Sequence, residues 1–526
     1  MKNRVSNCMV PMTDGIRLYT ETILPEKGTK FPVILVRNPY APGKSDIAVL
    51  QNIDTHGYAR VHQHCRGCGE SEGECIPYIN ERQDGLALLE WVRKQDFYNG
   101  EIFLDGSSYL SSVHYSYLNT RQPDIKGAFF AVQDSERYNI IYRNGFFKPG
   151  LHGNWAVKMY KRNSLKKRDI VPETWLTYPL SGITKHIFGE TDEQLEEEMR
   201  HPDPADEFWQ TAAGGADYSR VTEKCDFPIL LTTSAFDIYT GGVLDMWKKI
   251  PLEKRKNCAL AVSPFAHNFD VANPEGLPQF PEGRLSDKEP DYIYRWFDYC
   301  RKGRKPDFIE PGKMIYYSLF ENHWHYADDF PEGDSVKELY FTTERKLTGK
   351  IPDNKGEITY CYNPYAPAKF KGGCCHNFDG MQLQDEPNSR YDIISFVSGE
   401  MEEIDCCGTM ELTLPVKSTA PDSCFYARID IIRDGKCYCL RDEIDSLCRN
   451  YPEYRPGEKV VLTFKFVPIS FRIQAGDKIR VDISSSCFPY FIPHPNRKGL
   501  MVEQTGADIA DNTICCDGAK LTLPRR

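Results

Sequence analysis

The apolar residues of this chain follow two rhythms, and the change between them near residue 305 constrains the fold more than any other feature. Upstream, short runs such as "FPVILVRNPY" from Phe31 carry no polar alternation, as strands buried on both faces of a sheet do. Helix-like segments separate these runs. In "ERQDGLALLEWVRKQ", Leu86, Leu89 and Val92 fall on one face and Lys94 stands near the end. "EIFLDGSSYL", "IKGAFFAVQDSE", "FPILLTTSAFD" and "NCALAVSPFAH" read as further strands. Strands alternating with helices imply a mostly parallel sheet with right-handed crossovers.

Downstream the period is two. Val460, Leu462, Phe464 and Phe466 alternate with Val461, Thr463 and Lys465. Ile479, Val481 and Ile483 share a face after a Gly476-Asp477 turn. Phe425, Ala427, Ile429 and Ile431 precede an Asp434-Gly435 hairpin signal. This pattern predicts an all-β sandwich. Between the two regimes of the first half lie "LHGNWAVKMYKRNSLKKR", "LSGITKHIF" and "TDEQLEEEMRH", which read as helices without a strand. With 526 residues the chain is too long for one compact core. The expected units are an α/β domain over 1–135 and 216–304, a helical cap inserted at 136–215, and the sandwich over 305–526.

The net charge of −10 and the absence of a basic block argue against nucleic acid as a partner. No run reaches the length of about 18 apolar residues that a spanning helix needs, and the first residues lack the apolar core of a signal peptide. A cytoplasmic protein with no membrane partner is expected. The 19 cysteines then read as thiols. "HQHCRGCGE" gathers His62, His64, Cys65 and Cys68, superficially four zinc ligands. All four crowd into seven residues, and neither "KGGCCHNF" nor "TICCDG" offers a second Cys-x-x-Cys couple, so a strand end and glycine turn is the better reading. Neither a metal nor a cofactor is expected.

Ligands of open α/β sheets bind beyond the carboxyl ends of the strands. The polar residues that follow apolar runs here are Tyr40, Ser107 and Ser108, Asp237 and His267. Ser, Asp and His in that order is the α/β-hydrolase sequence of a catalytic triad. A serine hydroxyl needs a base within hydrogen-bond reach, a neutral imidazole titrates in the right range, and a carboxylate fixes its tautomer. A nucleophile elbow requires glycine two residues before its serine, and Gly106 satisfies that for Ser108 but not for Ser107.

These residues resemble the cocaine esterase-like hydrolases, relatives of the X-Pro dipeptidyl-peptidases and the α-amino-acid ester hydrolases. That family's elbow is Gly-x-Ser-Tyr-x-Gly, and this chain reads Gly106-Ser107-Ser108-Tyr109-Leu110-Ser111, departing only at Ser111. "VRNPY", "CRGCGESEGE", "RQDGLALLEWV", "HPDPADEFW", "SPFAH" and "KIRVDISSSCFPYF" are similar to family segments in the same order. The resemblance implies an α/β-hydrolase fold with an inserted helical cap and a C-terminal all-β jelly-roll domain. It also implies Ser108 as nucleophile, Asp237 as orienting acid and His267 as base. The oxyanion hole would be the Tyr40 hydroxyl and the Tyr109 backbone N–H.

Asp245 and Asp270 are rival acids and are read as surface carboxylates, His114 as a packing residue and Arg66 as a loop anchor. The loop after Asp237, "IYTGG", lacks the extra acids that would pair a substrate ammonium, and Arg143 stands where the cap begins. A carboxylesterase acting on a small-molecule ester or amide is therefore expected. X-Pro dipeptidyl-peptidase or amino-ester hydrolase activity is the alternative, with Asp134 or Glu136 as the amine partner. A non-catalytic binding protein using the jelly roll is the alternative of a different class. An exposed jelly-roll edge is compatible with a homodimer.

Overall fold

The computed structural model describes residues 4–40, 56–160, 170–353, 356–374 and 378–526. In the first half the strands are β1 (Arg4–Pro11), β2 (Arg17–Leu24), β3 (Phe31–Asn38), β4 (Ala59–His64), β5 (Tyr98–Ser107) and β6 (Ile125–Ala131), of which β3, β5 and β6 are apolar runs read from the sequence. A two-stranded ribbon follows, β7 (Tyr142–Arg143) and β8 (Phe146–Phe147), then β9 (Ile229–Ser234), β10 (Ala259–Ser263), β11 (Met314–Ser318) and β12 (His323–Ala327). Apart from the ribbon they form one sheet in the order β1-β2-β4-β3-β5-β6-β9-β10-β11-β12. From β4 to β11 every neighbouring pair is parallel, as the α/β reading requires.

Alternate residues of the central strands feed opposite layers. Val33, Leu35, Ile102, Leu104, Ala128 and Phe130 belong to one apolar cluster. Ile34, Val36, Phe103 and Phe129 belong to another. Helix α1 (Glu81–Arg93) and helix α2 (Tyr109–Tyr115) lie on the first side. Helix α3 (Thr240–Lys249) also packs there through Val243, Leu244 and Trp247. Helix α4 (Tyr292–Lys302) covers the second side with Trp296 and Phe297. The buried face of α1 is Gly85, Leu88, Leu89 and Val92. Leu88 therefore takes the place expected of Leu86, because the 85-88-89-92 spacing makes the continuous stripe.

One expectation is corrected. The inserted segment contains a strand pair after all: β7 and β8 are joined by Asn144 and Gly145, both at positive φ (47° and 82°), the hairpin preference of Asn-Gly. The other described cap elements are helical: Arg137–Ile141, a π-helical turn Pro149–Gly153, Asn154–Met159, Ile183–Phe188 and Glu193–Glu198, with 3-10 turns at Pro172–Trp175 and Glu207–Gln210. The predicted continuation of the first cap helix over 161–168 lies outside the described residues. β11 and β12, which follow residue 305, add to the edge of this sheet, β11 parallel to β10 and β12 antiparallel to β11. Met314–Ser318 is buried along its whole length and so behaves like the upstream runs.

The rest of the chain forms a 13-stranded sheet system that is almost wholly antiparallel. Its longest hairpin pairs Cys424–Arg433 with Lys436–Ser446 through Asp434 and Gly435, both at positive φ. Val460–Lys465 alternates buried and exposed residues as its sequence predicts. Lys478–Ser484 does not: Arg480 and Asp482, on the face opposite Ile479 and Val481, are buried too. They pair with each other beside the Arg428–Asp430 pair, and Arg428 and Arg480 donate to the carbonyls of Lys371 and Asp385 in a covering segment. The second apolar cluster of the α/β sheet continues without a break into this region through Phe396, Leu412, Phe425 and Ile483. Among the described residues every cysteine is a free thiol, and no helix is long and apolar enough to cross a membrane.

Candidate active site

β5 ends in a sharp turn into α2. Ser108, at that turn, has φ 56° and ψ −132°, a strained conformation for a residue with a side chain. Its N–H donates to the carbonyl of Ala131 on β6 at 2.8 Å. A methyl group at Gly106 would lie 2.6 Å from the Leu110 carbonyl oxygen and 2.7 Å from the Ser111 nitrogen, so only glycine fits there. Ser111, where the resembling family has glycine, is fully buried, and its hydroxyl donates to the same Ala131 carbonyl at 3.4 Å. The serine thus braces the elbow without crowding it.

The later strand ends bring the partners. Ser108 Oγ lies 3.0 Å from His267 Nε2, and His267 Nδ1 lies 2.7 Å from Asp237 Oδ1. Asp237 is fully buried, and its second oxygen accepts from the Thr233 hydroxyl at 3.1 Å. The loop holding it is closed by Thr240, whose hydroxyl donates to the carbonyls of Ser234 and Asp237. A hydroxyl, an imidazole and a buried carboxylate in a line can pass a proton from oxygen to nitrogen while the resulting imidazolium is stabilised.

Tyr40 follows β3. Its N–H donates to the Asn38 side chain at 2.9 Å, and its hydroxyl accepts from Trp155 Nε1 at 3.2 Å. Tyr109 opens α2, so its N–H belongs to the first turn, where no carbonyl of the helix can reach it. Its phenol points away from the serine: it donates to Glu81 at 2.5 Å and accepts from the Tyr78 N–H at 2.9 Å. Burial pushes the Glu81 carboxyl up and the Tyr109 phenol well above its ordinary range. The Tyr109 ring therefore ties the elbow to the start of α1.

Ser108 opens into a cavity of about 760 Å³. Its walls are largely aromatic and aliphatic, Tyr40, Tyr78, Ile140, Leu151, Trp155 and Tyr239 among them. Phe378, from the strand-rich half, stands 4.8 Å from His267 ring to ring and completes the wall. Behind Tyr78 sits a buried charge cluster that the sequence reading missed. The Arg137 guanidinium stacks 3.7 Å over the Tyr78 ring and pairs with Glu198, which also accepts from Tyr160 and meets His152 Nε2 at 2.8 Å. Burial lowers the His152 pKa, and although burial alone would raise the Glu198 carboxyl, Arg137 and the other partners hold it below its ordinary value. No local pattern marks these residues, because they meet only through the cap.

The rival residues lie as follows. Asp245 is exposed and pairs with Lys249 at 2.6 Å. Asp270 is half-buried rather than at the surface: it lines the cavity and accepts from the Ser286 N–H at 3.2 Å. His114 is sealed in the core against Tyr117, and burial pushes its pKa down to about 3. Arg66 forks onto Asp84 and reaches Asp14, anchoring its loop. His64 pairs with Glu70, and no group of His, Cys, Asp and Glu among the described residues is arranged to hold a metal. Asp134 and Glu136 do not line the cavity of Ser108. Asp134 faces a second hollow of about 260 Å³ and accepts from Glu136 N–H and Asn139, while Glu136 accepts from Ser219 and Arg220. Arg143 is held by Glu443.

Comparison with known proteins agrees with this geometry in outline. Residues 14–268 match the family profile of the X-Pro dipeptidyl-peptidases (S15 family), and residues 307–522 that of the X-Pro dipeptidyl-peptidase C-terminal non-catalytic domain. Cocaine esterase from Rhodococcus sp. (strain MB1 Bresler) is 24% identical over 95% of this chain and 93% of its own length. The crystal structure of a selenomethionine-labelled α-amino acid ester hydrolase superposes with a TM-score of 0.82 at 19% identity, covering 100% of this chain and 97% of that one. An aminopeptidase from a marine-sediment Thaumarchaeota archaeon gives 0.81 at 18%, covering 99% and 96%.

Proposed function

This chain belongs to the cocaine esterase-like serine hydrolases, in the group of the X-Pro dipeptidyl-peptidases, and from that premise we propose that it cleaves carboxylic esters through an acyl-enzyme on Ser108. Ser108 Oγ attacks the ester carbonyl carbon while His267 Nε2 takes its proton. The Tyr109 N–H and the Tyr40 hydroxyl donate to the oxygen as it becomes an oxyanion. Collapse expels the alcohol, which receives the proton from His267. Water, deprotonated by the same nitrogen, then releases the acid and restores the serine. Asp237 holds the Nδ1–H throughout and stabilises the imidazolium.

One observation carries this reading: Ser108 stands on a strained elbow 3.0 Å from a histidine that is itself 2.7 Å from a buried carboxylate. The preference for esters without an essential amine rests on the cavity wall, from which Asp134 and Glu136 are absent. The X-Pro dipeptidyl-peptidase reading retains one supporting feature, the carboxylate of Asp270 in that wall. We take the α/β-hydrolase domain to comprise the ten-stranded sheet and its helices, with a cap over 136–215. The unit after β12 is read as a jelly roll.

A fluorophosphonate probe tests the mechanism. It labels the native protein and not Ser108→Ala, in which kcat falls on the order of 10⁶-fold, while Ser107→Ala changes little. Equal losses in the two variants would move the nucleophile elsewhere. A panel of alkyl and aryl esters beside an X-Pro aryl amide tests the substrate class, and cleavage of the amide alone would make the peptidase reading the correct one.

A further inference from the structure

We propose that Gln133 sets the specificity of the Ser108 cavity by accepting a hydrogen bond from a donor on the acyl group, an amide N–H or a hydroxyl. The inference rests on the ester-hydrolase reading and adds a substrate class to it. Cavities of this kind are mostly apolar, and the few polar groups in their walls fix the ligand's orientation.

The polar side chains of this wall can be taken in turn. His152 Nε2 is committed to Glu198, and its other nitrogen is sealed from solvent. Asp270 is engaged by the Ser286 N–H and hydroxyl and by the Leu285 N–H, and the Ser107 hydroxyl can donate or accept. Asn268 is exposed at the rim. The hydroxyls of Tyr78 and Tyr239 can donate or accept, so they impose no sense on a ligand. Gln133 is different. It is 2% exposed, and its amide nitrogen donates to the Asp134 carbonyl at 3.3 Å. That bond orients the carboxamide and leaves its oxygen, which accepts no hydrogen bond among the described residues. The oxygen is nonetheless not among the sealed-off polar atoms, so it opens on the cavity that Gln133 lines. A carbonyl can only accept.

The backbone places it beside the reaction. Ala131 holds the Ser108 N–H, and Gln133 is two residues further on. Between them Val132 has φ 46°, an outlier for a β-branched residue, and strain of this kind persists where the surroundings enforce it. Gln133 and Ser108 therefore line one cavity from neighbouring strand ends, and a group carried on the acyl portion of an ester at Ser108 shares that cavity with the carboxamide. A substrate lacking the donor leaves a buried carbonyl unpaired.

Ethyl hippurate and ethyl 3-benzoylpropanoate differ by an N–H in place of a CH₂, and they test the inference on the full-length protein. The expected result is a kcat/KM higher for the hippurate by about 10- to 100-fold, with Gln133→Met collapsing the ratio toward one. Equal losses on both esters with the ratio intact would mean that Gln133 is only structural, and the inference falls. If fluorophosphonate labels Ser108 while the native protein treats the two esters alike or cleaves neither, the Gln133 inference alone falls. If the probe labels nothing and neither ester is cleaved, the hydrolase reading falls with it.

Discussion

Ser108 occupies a backbone conformation that costs about 1–3 kcal/mol, and two small neighbours make it tolerable. At Gly106 even a methyl group would press on the backbone of Leu110 and Ser111. Gly106→Ala should therefore lower stability by about 1–3 kcal/mol and reduce fluorophosphonate labelling; a thermal melt and a labelling rate both like the native protein's would refute that. Tyr40 is tested through its hydroxyl. Tyr40→Phe should lower kcat by about 10²–10³ with a lesser change in KM, and Trp155→Phe serves as the comparison, because it keeps the phenol while removing the donor to it and part of the cavity wall. Similar kcat values in the two variants would take Tyr40 out of the mechanism. That Ser108, Asp237 and His267 would meet was legible in the sequence, because each ends an apolar strand run. Gln133 and His152 were not, since an amide or imidazole acquires its meaning only from what engages its other atoms, here the Asp134 carbonyl and Glu198.

The turn after β6 shows how an element turns burial into pH dependence. Burial raises the Asp134 carboxyl to about 6 from its ordinary 3.8. The folded chain therefore keeps a proton that the unfolded chain has released, so this group's contribution to stability falls as pH rises from about 4 to 6 and stays lost above that window. Asp134→Asn removes the effect. Denaturant titrations should show the variant gaining on the native protein by up to about 3 kcal/mol between pH 4 and pH 7; a constant difference across that range would contradict it. Other elements show where period-based reading stops. The Asn144-Gly145 hairpin was overlooked because its strands are two residues each, too short to show alternation. Met314–Ser318, downstream of the expected change of period, lies in the ten-stranded sheet and is buried along its length as β3 is. The strand Lys478–Ser484 was half legible: its apolar face follows the pattern, but pairing lets Arg480 and Asp482 be buried as well.

In the whole molecule the two halves share one apolar cluster running from Phe103 and Trp296 to Phe396 and Phe425. A chain ending at residue 330 would keep the ten-stranded sheet and uncover Ile315, Tyr317 and Leu319, all now buried. Such a fragment should aggregate, seen as loss of soluble protein and of the native elution volume. A soluble, labelled fragment would show that the halves fold apart. The division of the chain into a parallel-sheet half and a strand-rich half could be read from the apolar period, but their shared interior could not, since period reports which face of a strand is covered and never by what. Phe378 comes from the strand-rich half without joining that interior, being 52% exposed, and its ring lies 4.8 Å from His267. Ribosomes add residues from the N-terminus, so Ser108, Asp237 and His267 have all been incorporated 111 positions before this ring exists. A nascent chain consequently carries its reacting groups under an open roof, and the pocket acquires its final shape only late in translation.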